Sequence, residues 1–224
     1  MTGLVRKATL LAVCGLLTAS AAMAHVPDPA HCTCPAGYID VMGHNGVVGD
    51  PFGNFCVTVR DFNNVPIENS SVVIDFANCD LQLCVNQLDA NVIVDCVSQT
   101  VRKLTNVNGQ ACFVVIGKAR PALGCVGKPP GCVRIYADGV FLCNQTATEF
   151  DLINAADGSG VGAGDLANYI TLFVCGTSPL RADYDHSGAV GAGDLARLIT
   201  IIVGGKSANN CPPPKNNNTG PKCQ

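Results

Sequence analysis

Five oxygen-bearing positions near the C-terminus carry the strongest chemical signal in the chain. Asp183-Tyr184-Asp185-His186-Ser187-Gly188-Ala189 runs through Val190 to Asp194. Counted from Asp183, side-chain oxygens fall at positions 1, 3, 5 and 12, the Ala189 carbonyl at 7 and glycine at 6. In a tightly turned loop such alternate groups converge, and Gly188 permits the turn. A ring of hard oxygens suits a hard cation, calcium above all. His186, at position 4, falls among positions that usually point outward. A plainer reading competes with this one: Asp194 caps a helix and the glycines make turns.

The helix that Asp194 would open belongs to an internal repeat. VGAGDLA stands at residues 161–167 and again at 190–196, a period of 29. Leu166, Tyr169, Ile170 and Phe173 recur as Leu195, Leu198, Ile199 and Ile202, a spacing that lines one helical face. Asp165 takes the place of Asp194. Aligned without a gap, the first loop offers Asn154, Ala156 and Gly158 at positions 1, 3 and 5. One deletion instead sets Asp157, Ser159 and Gly160 against Asp185, Ser187 and Gly188. The candidate ligands are therefore Asp183, Asp185, Ser187, Ala189 and Asp194, with Asn154, Asp157, Ser159 and Asp165 in an impaired first loop.

Two such loop–helix units in tandem, over residues 151–206, resemble a degenerate type I dockerin, a pair of EF-hand-like repeats. The resemblance implies Ca2+ in the loops and a protein partner, a cohesin or another surface protein. Ala163-Gly164 and Ala192-Gly193 stand where cohesin-binding dockerins carry hydroxyl residues. Packing of the helix pair on the rest of the chain is the intramolecular alternative.

The elements ahead of the repeat read as β. CVTVR (56–60), SVVIDF (71–76), residues 91–94, residues 100–104, ACFVVI (111–116) and CVRIY (132–136) are short apolar or alternating runs. Asn63-Asn64, Asn108-Gly109 and Asp138-Gly139 between them tolerate left-handed backbone and make turns. VTVRDFNNVPIENSSVVIDF, TNVNGQACFVV and VRIYADG resemble bacterial Ig-like domains of the invasin and intimin type, with Asp61, Pro66, Thr105, Asn108, Gly109 and Ala111 in the motif positions. The resemblance implies an Ig-like β-sandwich over residues 54–150. The expected class is thus mainly β: that sandwich plus a small α-helical, dockerin-like calcium-binding domain.

The chain's edges set the compartment. Arg6 and Lys7, the apolar stretch 8–22 and Ala22-Met23-Ala24 form an export signal over residues 1–24, with cleavage before His25. A cysteine-containing segment (25–53) precedes the sandwich, and a polar tail (207–224) follows the repeat. Without Arg6 and Lys7 there are 12 basic residues against 17 acidic, which argues against nucleic acid or an anionic membrane as partner. No second apolar stretch is long enough to span a bilayer. Thirteen cysteines remain after cleavage, a density that belongs with disulfides outside the cytoplasm, secreted or at the cell surface. Ten lie between Cys32 and Cys143 and three beyond, so pairing within each set leaves one odd thiol near the C-terminus. That thiol could link chains into a disulfide-bonded oligomer.

No nucleophile elbow, zinc-binding His pair or phosphate loop is present. Asp75, Asp80, Asp89 and Asp95 have nothing in the spacing to pair them as acid and base. The expected function is non-catalytic: a calcium-binding adhesion or assembly module, with a structural subunit of an extracellular fibre or matrix as the alternative. A small secreted polysaccharide- or peptide-degrading enzyme stands a distant third.

Overall fold

The computed structural model describes residues 25–42, 52–84, 87, 89–119, 130–152, 161–175 and 180–203. Ten strands come first in these segments: β1 (Tyr38–Val41), β2 (Asn54–Thr58), β3 (Ser71–Asp75), β4 (Leu81–Leu83), β5 (Ile93–Asp95), β6 (Thr100–Leu104), β7 (Gln110–Val114), β8 (Gly117–Ala119), β9 (Val133–Ala137) and β10 (Val140–Glu149). Helix α1 (Ala163–Cys175), a single 3-10 turn (Leu180–Ala182) and helix α2 (Ala192–Val203) follow. The protein is mainly β, with two short helices.

Six strands form one sheet in the order β1-β10-β9-β3-β6-β5. Its pairings are antiparallel except at the β1 edge, which runs parallel to β10. β2 pairs with β7 and β4 with β8 in separate antiparallel ladders. Period-two alternation decides which side chains go inside. Val72 and Ile74 of β3, Val101 of β6 and Ile135 of β9 share one core with Val57, Ala111 and Phe113. Asp138 and Gly139, both at positive φ, make the tight turn between β9 and β10. Gly109 serves differently: at φ +70° it lies so near the Val59 carbonyl that a Cβ would come within 2.4 Å of that oxygen.

Disulfides brace this core. Cys34–Cys143 ties the N-terminal segment to β10, Cys56–Cys112 joins β2 to β7, and Cys79–Cys132 links the approaches to β4 and β9. Cys84, Cys96 and Cys175 are disulfide-bonded as well. Pairing of all ten cysteines of the β region among themselves fails at Cys32, which is a free thiol. Burial raises its pKa, and its Sγ lies 3.4 Å from the Arg60 amide nitrogen. Cys211 and Cys223 lie outside the described residues.

A second core joins the repeat to the sheet. Met42, Val114, Phe150 and Leu152 pack with Val161, Tyr169, Leu172, Ala182, Tyr184, Leu198 and Ile201. Phe150, just past β10, stacks on Tyr184 with ring centroids 4.1 Å apart. The helix pair is therefore docked on the β region. Its phase follows the expected one in part, for Tyr169 and Leu198 lie in this core and Leu166, Leu195 and Ile202 pack against it half-buried. The inward rows are Asp165–Tyr169–Leu172 and Asp194–Leu198–Ile201, while Ile170, Phe173 and Ile199 are exposed. The aspartates set this phase: each must turn back onto its loop, which carries the positions four and seven residues later to the same side. Among the described residues, no helix is long and apolar enough to cross a membrane.

Candidate metal centre

Asp194 sits in the first turn of α2, and its carboxylate turns back to the loop. One oxygen accepts the Gly191 N–H at 2.7 Å, and the other accepts the Asp185 N–H at 2.7 Å. The first bond is the reciprocal half of a capping box, satisfying an amide that helix geometry leaves without a partner. The second pulls the start of the loop onto the helix end. Asp183, wholly buried, closes the loop from its own side by accepting the N–H groups of Ser187 at 2.9 Å and Gly188 at 2.8 Å. His186 and Gly188 take left-handed backbone at φ 61° and 88°, which bends the chain around these acceptors.

The folding of the loop brings three carboxylates together. Oxygens of Asp183, Asp185 and Asp194 all lie within 4.8 Å of one another, and Asp183 and Asp194 have no exposed surface. At an effective dielectric near 20, two unit charges that close repel by about 3 kcal/mol. Burial raises the Asp194 pKa, and the Asp185 and Asp183 carboxylates push it further the same way. The Ser187 hydroxyl lowers that of Asp185. Tyr169, behind the site, is pushed up to about 12, first by burial and then by Asp194.

Ser187 Oγ lies 3.5 Å from Asp183 and donates to the Ala189 carbonyl at 3.1 Å, so the hydroxyl and carbonyl belong to the same cluster. Asp185 to Ala189 are exposed, leaving one side of the loop open to solvent. The donor set is carboxylate, hydroxyl and carbonyl oxygen throughout, the set a hard divalent cation prefers. Gly193 is part of the fit. A Cβ there would meet Asp185 Oδ2 at 2.1 Å, so the carboxylate rests on bare helix backbone.

In the first copy the helix end is built the same way. Asp165 accepts Gly162 N–H and Leu152 N–H, both at 2.7 Å, as Asp194 accepts Gly191 and Asp185. Counting back from that shared bond sets Leu152 where Asp185 stands and Phe150 where Asp183 stands. Neither alignment drawn from the sequence has this frame. Asn154, Asp157 and Ser159 lie outside the described residues.

Three neighbours of the second loop carry no sequence motif. Asp40 of β1 accepts from His186 Nε2 across 3.0 Å, and Tyr38 stacks on the same imidazole at 4.6 Å. Arg197 donates to the Tyr184 carbonyl and lies over the Phe52 ring. An aspartate between Ile39 and Val41 of a short strand was the one available hint of Asp40.

Comparison with protein-family models, with curated proteins and with solved structures finds no match.

Proposed function

We propose that residues 183–194 bind one calcium ion through Asp183, Asp185, Ser187, the Ala189 carbonyl and Asp194. The observation that carries this reading is the convergence of three carboxylates, two fully buried, within 4.8 Å of one another. A helix cap would account for Asp194 but asks nothing of Asp183 and Asp185. A divalent cation at this point turns mutual repulsion of the carboxylates into shared attraction.

On this reading the chain is an exported, non-catalytic adhesion or assembly module, an Ig-like sandwich joined to a dockerin-like repeat. Several observations support it. Disulfides run through the β region, as in proteins of oxidising compartments. Thr105 accepts the Ser70 N–H and donates to the Ile67 carbonyl, and Asp61 accepts the amides of Asn63 and Val65, so motif residues of the Ig-like resemblance do turn chemistry. A partner is expected to be another protein, for the acidic net charge disfavours polyanions.

Calcium calorimetry on the purified protein, beside Asp183→Ala, tests the metal site. One saturable site that disappears in Asp183→Ala is the expected result. At a hundredfold excess over Kd it should stabilise the protein by about 2.7 kcal/mol. No heat at millimolar calcium, with an unchanged melting temperature, would refute the reading.

A further inference from the structure

We propose that β1, the N-terminal strand, is a positioning element of the calcium loop, so that calcium affinity and the docking of β1 are thermodynamically coupled. The inference rests on the calcium reading above and concerns what holds that site in shape.

The argument starts from strand alternation. Ile39 and Val41 point into the first core, which leaves Tyr38 and Asp40 on the opposite face of β1. That face meets the loop. His186 lies flat on Tyr38, with an interplanar angle of 5°, and its Nε2 is 3.0 Å from the buried Asp40 carboxylate. Thr148 of β10 donates to the same Asp40 oxygen, fixing the carboxylate from the sheet side.

His186 lies between the ligands Asp185 and Ser187 and holds a left-handed conformation at φ 61°. Residues other than glycine enter that region at a cost and need an outside restraint. The Tyr38–Asp40 clamp is that restraint. It fixes the backbone from which the ligands at positions 3 and 5 project. β1 itself is a four-residue strand paired along its length to β10, continued on the other side by a parallel bridge from Met42 to Ile116 and held in the core by Ile39 and Val41. The contact with His186 adds to that anchorage from the opposite face. Because coupling is reciprocal, a clamp that improves calcium binding obliges calcium to stabilise the strand by the same factor.

The test combines calcium calorimetry with hydrogen exchange over residues 38–42, on wild type, His186→Ala, Asp40→Asn and the double variant. The expected result is one calcium per chain in all four, with Kd weakened on the order of tenfold in each single variant. The double variant should be no weaker than the worse single, since both remove one interaction. Calcium should slow exchange over 38–42 in wild type and not in His186→Ala. Wild-type affinity in His186→Ala, or β1 exchange indifferent to calcium, overturns the coupling while leaving the calcium site standing. Strictly additive losses in the double variant also overturn it. Absence of calcium binding by the wild type instead removes the site itself.

Discussion

Gly193→Ala separates the metal site from the helix cap more sharply than removing a ligand does. Gly193 occupies the second position of α2, where alanine is ordinarily the better residue by up to about 1 kcal/mol. The cap made by Asp194 uses backbone groups of Gly191 and Asp185 and is untouched by a methyl group on residue 193. That methyl would, however, stand 2.1 Å from Asp185 Oδ2, where ordinary contact begins at 3.4 Å. The carboxylate must retreat by more than 1 Å. Asp185 is exposed, so the retreat costs the apo protein little. A calcium–oxygen bond of roughly 2.3–2.6 Å does not survive it. The apo protein should therefore melt at or slightly above the wild-type temperature in chelator, while calcium binds on the order of 10–100-fold more weakly. Differential scanning fluorimetry with and without calcium, beside calorimetry, reads both quantities. Wild-type calcium affinity would show that Asp185 is not a ligand, and a much lower apo melting temperature would show that Gly193 is there for packing.

Two further outcomes follow from the same contacts. Phe150→Ala removes a fully buried ring stacked on Tyr184 and should cost about 3–5 kcal/mol by chemical denaturation. If the repeat and β region unfold separately with little loss in either, the shared core has been overvalued. Asp61 has its carboxyl pKa lowered by the Val65 amide first and His25 next. Its folded-state value lies below the unfolded one, so this contribution is complete above about pH 4 and is lost as pH falls through the depressed value. Melting temperature should fall less steeply on acidification in Asp61→Asn than in wild type; parallel curves would contradict the assignment.

Local pattern made much of the β region readable. CVTVR alternates as expected, with Val57 and Val59 sealed inside, and SVVIDF and TVRKL are β3 and β6 nearly to the residue. The strands that escaped are those whose reasons are not local. β10 is the longest, yet NQTATE reads as polar; its second half is buried because β1 and the repeat cover it. β1 pairs in parallel across more than a hundred residues of sequence, and no neighbouring turn announces such a partner. β4 and β8 have three residues each, too few to show a period. The carboxylate cluster of the second loop was legible because its three aspartates lie within twelve consecutive positions. Tyr38 and Asp40 were not, since only the folded sheet brings them to His186.

The two copies of the repeat divide their work at one point. Both keep the N-terminal aspartate bond pattern, so both need the helix end fixed to the strand or loop before it. What precedes that bond differs. In the second copy the frame places Asp183 and Asp185 two residues apart, and both belong to the carboxylate cluster. In the first it places Phe150 and Leu152, which are 0% and 2% exposed and belong to the core shared with the β region. The first position of the pair faces inward in either copy, since Phe150 and Asp183 are both fully buried, while at the second Leu152 is buried and Asp185 exposed. Two carboxylates there would suit the proposed cation, whereas two apolar groups need a hydrophobic partner, which the tyrosine of the other loop supplies in stacking on Phe150. Calcium at the second loop would therefore act on the sheet along two routes: through Tyr184 to Phe150 at the end of β10, and through His186 to β1 at the edge.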